Sequence, residues 1–196
     1  MHNPSATLLN RALPLSGTSA LLRDALIALA ATGLLTLSAK VQIPFYPVPM
    51  TMQTLVVLLI GASLGWRLGA ATLALYLAQG ALGLPVFAGT PEKGLGLAYM
   101  AGPTGGYLAG FIIAAGLAGY LAEKGLTRSI PGALATMTLG MLVIYALGFA
   151  WLATLIGSGK AFTFGVMPFL YGDVLKIALG AALLPGAWWL VGRLRG

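Results

Sequence analysis

The chain reads as an all-α membrane protein, a six-transmembrane-helix bundle with two membrane-embedded outer loops. Composition, the spacing of apolar runs and the placement of charge each point there. Of 196 residues, 59% are hydrophobic and 8% charged, and mean hydropathy is +0.93, far from the balance of a water-soluble domain. About 20 apolar residues cross a bilayer core as a helix, so about six crossings take ~120 residues and leave short connectors. Apolar segments fall at 25–39, 50–65, 68–88, 104–122, 132–156 and 165–191, each bounded by glycine, proline or charge. The organisation expected is a cytoplasmic tail at 1–24, one integral membrane domain at 25–192 and a second cytoplasmic tail at 193–196.

The opening stretch MHNPSATLLNRALPLSGTSALLRD has no long apolar core followed by a small-residue cleavage site, so it reads as a tail and not as a signal peptide. After the first apolar segment comes QIPFYPVPMTMQ, where Pro44, Pro47 and Pro49 forbid helix and favour an extended path. The second and third segments meet at a tight inner turn near Trp66 and Arg67. Between the third and fourth runs GLPVFAGTPEKGLGLAYMAGPTGGY, too rich in glycine for a helix and too apolar for a solvated loop. Irregular backbone at membrane depth persists only where protein buries it or where it lines a cavity. These two connectors therefore read as a lid or a lining on the outer side.

Six crossings put both termini on one side. With that side cytoplasmic, Arg11, Arg23, Arg67, Lys124, Arg128, Arg193 and Arg195 fall inside and Lys40, Lys93 and Lys160 outside, following the bias of Lys and Arg toward cytoplasmic loops. The formal charge of +7 is thus topological. No nucleic-acid partner is expected, because the cations stand singly between apolar segments and form no basic face. Small residues recur at four-residue spacing in Gly61, Gly65 and Gly69 and in Gly102, Gly106 and Gly110, a pattern that lets helices approach closely.

Several chemistries are excluded by counting. None of the five lysines precedes Ser or Thr, so there is no Walker A loop. With one histidine, His2, in the tail and no cysteine, zinc motifs, Ser-His-Asp triads and thiol nucleophiles are out of reach. No cofactor, catalytic residue or metal site is expected.

The stretch FLYGDVLKIAL carries the informative pair. Asp173 and Lys176 stand three apart, on one helix face. At ~1.5 Å per residue from position 165 they lie about 10–18 Å deep, under the outer connectors. Ionisable groups at membrane depth cost a few kcal/mol each and normally face a bundle interior or watery cavity. The bland reading is a pair that neutralises itself and pins a helix. The functional one is an acceptor beside a donor, suited to a neutral ligand with N–H groups next to a carbonyl, such as a cyclic urea. Gln53 and Gln79 are further candidates, each able to contact a ligand or to cap loop backbone. Tyr99, Tyr107 and Trp151 offer apolar walls or interface anchors.

The runs IPFYPVPMTMQTLVVLL, ALGLPVFAG, GPTGGYLAGF and YGDVLK, in this order over residues 25–192, resemble the BioY family, the biotin-binding S components of energy-coupling factor (ECF) transporters. The resemblance implies a six-helix protein of the cytoplasmic membrane that captures biotin from outside. Transport would be powered by a transmembrane coupling subunit and ATPase subunits as partners. It implies that Asp173 and Lys176 contact the ureido ring, and that Gln53, Thr104 and Tyr107 line the site or fix its loops. Lys93 is the only cation in the loop from which, in some members of that family, an arginine meets the carboxylate. The family's small-residue pattern on the first helix, which meets the coupling subunit, falls here on Ala28 and Thr32. An ion-driven transporter with Asp173 as proton site, an S component for a different vitamin and, last, an intramembrane enzyme remain as alternatives.

Overall fold

The computed structural model describes residues 7–14 and 16–195; His2 lies outside the described residues. The chain runs through helices Leu8–Ala12 (α1) and Thr18–Lys40 (α2), strands Gln42–Ile43 (β1) and Met50–Thr51 (β2), then helices Gln53–Leu64 (α3), Trp66–Ala81 (α4), Gly96–Met100 (α5), Gly105–Glu123 (α6), Ile130–Ile156 (α7), Ser158–Gly165 (α8) and Leu170–Arg195 (α9). The two short strands pair antiparallel, Gln42 opposite Thr51, so the proline-rich connector folds back on itself as a hairpin.

Among the described residues, α2, α6, α7 and the stretch Ser158–Leu194 are long and apolar enough to cross a membrane. Segments 50–65 and 68–88 depart from their expected lengths. The hairpin takes residues 50–51, and α3 is 12 residues and α4 16. At ~1.5 Å per residue these are about 18 and 24 Å long, short of a ~30 Å hydrocarbon core. Helix α4 stops at Ala81 because Gly83 turns the backbone with φ 93°. Residues 82–95 then lie back over the bundle as irregular chain.

At the other end, α2 begins at Thr18, seven residues before the expected tail boundary. Arg23 is buried there without stranding its charge: it pairs with Asp24 at 2.7 Å, donates to Asn10 Oδ1 at 2.9 Å and reaches the Leu13 carbonyl. Leu8 and Leu9 of α1 are buried at the end of the bundle where α1 packs against α3 and α9. The last segment also changes character. Gly157, at φ 83°, separates α7 from α8, and a three-ten turn at Met167–Phe169 leads into α9.

Helix α6 is the axis of the bundle, with 56% of its span buried against 17% for α2. Its small residues explain this. A Cβ at Gly110 would stand 3.1 Å from the Ile144 Cα on α7, and one at Gly106 would overlap the Leu147 carbonyl and the Trp151 side chain. Gly61 of α3 rests on the Ala115 backbone, and Gly119 on the Gly65–Trp66 backbone. The four-residue spacing is thus a packing device. The Gly61 to Gly69 run does not belong to one helix, since Gly65 (φ 88°) makes the turn between α3 and α4. A Cβ at Gly33, on the outward side of α2, meets nothing within 4 Å. At the turn between α3 and α4, Glu123 Oε1 accepts from the Trp66 amide at 3.1 Å and places negative charge at the positive end of α4.

Candidate ligand-binding site

A cavity of about 560 Å³, counting its open mouth, lies beneath the 41–52 and 82–104 connectors. Its roof comes from Val48, Pro49 and Ala88, its sides from the first turns of α3 and α6, and its deeper wall from α7 and α9. Mostly apolar, it carries one concentrated polar cluster.

That cluster is built on Asp173 and Lys176, 4% and 6% exposed. Lys176 Nζ donates to Asp173 Oδ1 at 2.7 Å and to Thr54 Oγ1 at 3.2 Å. The Thr54 hydroxyl stands 3.5 Å from the same carboxylate oxygen, and the Tyr145 hydroxyl of α7 donates to Oδ2. The first turn of α9 suits Asp173, because a carboxylate near a helix N-terminus meets the positive end of the dipole. A carboxylate has about four lone-pair positions and an ammonium three protons. Oδ1 is thus used by Lys176 and Thr54 and Oδ2 by Tyr145, which leaves Oδ2 one acceptor position. Lys176 keeps one N–H, and the Tyr145 oxygen, having donated its proton, can still accept. An acceptor, a donor and a second acceptor thus belong to three side chains that line the same cavity.

The other residues expected from sequence divide. Gln53 lines the cavity, but its amide donates to Tyr76 OH at 2.8 Å, and Tyr76 in turn donates to the Val86 carbonyl at 2.7 Å. Its side chain is thus committed to holding residues 82–95 down. Tyr107 gives its ring to the cavity and its hydroxyl to the Gly165 carbonyl at 2.7 Å, tying α6 to the end of α8. Thr104 lines the cavity from the residue preceding α6. Tyr99 does too, donating to the Ala88 carbonyl at 2.7 Å. Burial pushes its phenol above the ordinary value, with the Thr104 hydroxyl acting in the opposite direction, so it serves as a neutral donor.

Gln79 is half-buried on α4 and outside the cavity wall. Lys93 is exposed, its stem laid over Gly89, and is not a wall residue. Trp151 donates to the Gly102 carbonyl at 2.9 Å and so fixes the connector before α6. Ala28 and Thr32 are 7% and 2% exposed, on the side of α2 that packs against α3 and α4. Small side chains there bring α2 close to its own neighbours, and neither is presented outward. Sequence reasoning missed Thr54 and Tyr145. The available signal was a tyrosine deep inside an apolar run, whose buried hydroxyl needs a partner.

A family model described as the BioY family matches residues 9–193. The chain is 41% identical over 145 residues to the probable biotin transporter BioY of Pyrococcus horikoshii, covering 74% of this chain and 83% of that protein. It is 41% identical over 158 residues to the biotin transporter BioY of Rhizobium etli, covering 76% and 82%. The fold is similar to the crystal structure of the S-component for biotin from an ECF-type ABC transporter, with TM-score 0.71 and 24% identity over 87% of this chain and 93% of that one. With the family model spanning almost every described residue and two such relatives aligned over most of their length, the chain belongs to the BioY family.

Proposed function

We propose that this protein captures biotin and serves in its uptake as the S component of an ECF-type transporter. The observation that carries the reading is the unfilled hydrogen-bonding capacity around Asp173. A cyclic urea has two N–H donors flanking one carbonyl. One N–H takes the remaining position on Asp173 Oδ2, the carbonyl takes the remaining Lys176 proton, and the second N–H takes the Tyr145 oxygen. Each buried polar group is then paired, which is the condition under which a charged couple is tolerable at this depth. The apolar ring and chain of the vitamin meet the side chains of α6 and α7.

In this reading the short helices α3 and α4 count as two crossings, giving six, and both termini face the cytoplasm across the cytoplasmic membrane. The membrane domain, expected over 25–192, extends in this reading from α2 at Thr18 to the end of α9. The ureido ligands are Asp173, Lys176 and Tyr145, with Gln53, Thr104 and Tyr107 shaping the lining. Without a Walker A loop, ATP hydrolysis belongs to separate ATPase subunits, joined through a transmembrane coupling subunit.

Titration calorimetry of the purified chain with biotin, thiamine and riboflavin tests this directly. Binding of biotin alone is expected. Binding of either other vitamin in preference to biotin, or of none of them, overturns it.

A further inference from the structure

The last residue of α2 reaches across to the roof of the cavity. Lys40 Nζ donates to the Phe87 carbonyl at 3.0 Å, the Thr90 carbonyl at 2.9 Å and the Thr90 hydroxyl at 3.1 Å. All three ammonium protons are therefore spent on one turn of the second outer connector. Inside that turn sits Ala88, a wall residue of the cavity. The stem of Lys40 is exposed while the turn it grips is buried, Phe87 and Thr90 included.

The same turn is held from below by a different set of groups. Phe87 stacks on Tyr99 at 5.0 Å and meets Tyr76 edge-on at 5.5 Å. These contacts anchor the turn to α4 and α5. Lys40 anchors it to α2, which has the smallest buried share of the four long apolar spans. A clasp of charge-assisted hydrogen bonds thus joins the least enclosed of the long spans to the cover over the cavity.

We infer that Lys40 is the positioning residue that holds the Ala88 turn over the cavity, so that its grip sets how slowly a bound ligand leaves. This deepens the biotin reading and rests on it. The physical basis is that hydrogen bonds from a charged donor are stronger than neutral ones, and that a group which acts after the ligand is seated alters escape more than encounter. Displacing the end of α2 would pull these bonds apart and loosen the cover without touching Asp173 or Lys176.

The test uses the full chain in detergent with labelled biotin. Lys40→Met is expected to speed dissociation about tenfold or more, with the association rate within about twofold, whereas Lys40→Arg, which keeps charge and donors, stays within about threefold of wild type in both. Hydrogen exchange without ligand provides a readout independent of the vitamin: the amides of 86–95 are expected to exchange faster in Lys40→Met, and those of α6 to be unchanged. Thr90→Val, which removes one of the three acceptors and leaves the charge in place, gives a smaller change in the same direction and serves if Lys40→Met does not fold. Unchanged dissociation and unchanged exchange at 86–95 overturn the inference, as does an association rate that changes by as large a factor as the dissociation rate. Absence of biotin binding by the wild type instead overturns the ligand assignment, and the exchange comparison still decides the clasp.

Discussion

The hydroxyl of Tyr145 on α7 donates to Oδ2 of Asp173 on α9, so two helices that flank the cavity meet through the oxygen opposite the one held by Lys176. Removing that hydroxyl takes away an orienting donor and, in the proposed binding mode, an acceptor for the ligand. Tyr145→Phe is therefore expected to weaken biotin by about 1–2 kcal/mol, roughly five- to thirtyfold, by calorimetry. An affinity equal to that of the wild type would remove Tyr145 from the ligand set.

Asp173→Asn keeps the size of the side chain and loses its charge. Biotin binding is expected to weaken by about 1.5–3 kcal/mol, the range for a hydrogen bond to a charged group. Undiminished affinity in a folded variant would sink the assignment of the ureido head to this carboxylate.

Lys176→Met leaves a buried carboxylate without its counter-charge. The expected cost to folding is about 3–5 kcal/mol, partly recovered when Asp173→Asn is added, because the desolvated charge is then gone as well. Unfolding in mixed micelles measures both. If Asp173→Asn costs as much stability in the Lys176→Met background as in the wild type, the two side chains are energetically independent.

Gly61→Ala places a methyl group against the Ala115 backbone where α3 crosses α6. Backbone cannot give way as a flexible side chain does, and the expected destabilisation is about 1–3 kcal/mol. Gly33→Ala, on the open side of α2, is expected to be neutral or slightly stabilising. Equal melting temperatures for the two variants would contradict this account of the packing.

Tyr76→Phe cuts the relay from Gln53 to the Val86 carbonyl and leaves a buried amide without its acceptor. A loss of about 1–3 kcal/mol in stability is expected, with faster proteolysis within 82–95. A cleavage pattern identical to that of the wild type would show that the aromatic stack alone holds the connector.

Asp173 and Lys176 were legible because charge in an apolar run announces itself, and their three-residue spacing settles that they share a helix face. Thr54 and Tyr145 were not. Whether they reach the pair depends on where α3 and α7 lie against α9, and a threonine or tyrosine is unremarkable in an apolar helix. The long spans α6 and α7 follow the hydropathy closely. The third segment does not, because Val86, Phe87 and Ala88 are apolar for burial against protein, and hydropathy alone cannot separate that from continued helix. Gln79 looked close to the outer end of its helix, yet rotation about α4 carries it off the cavity wall while Tyr76 is carried inward. Ala28 and Thr32 likewise had the right size for an outward contact and turn inward, since spacing defines a stripe and not the direction it faces.

The open ground beside Gly33 has a practical use. Because the chain contains no cysteine, Gly33→Cys would introduce a single thiol at a position where its β-carbon disturbs nothing. A spin label or dye attached there would travel with α2 and report changes in the surroundings of that helix as vitamin is loaded and discharged.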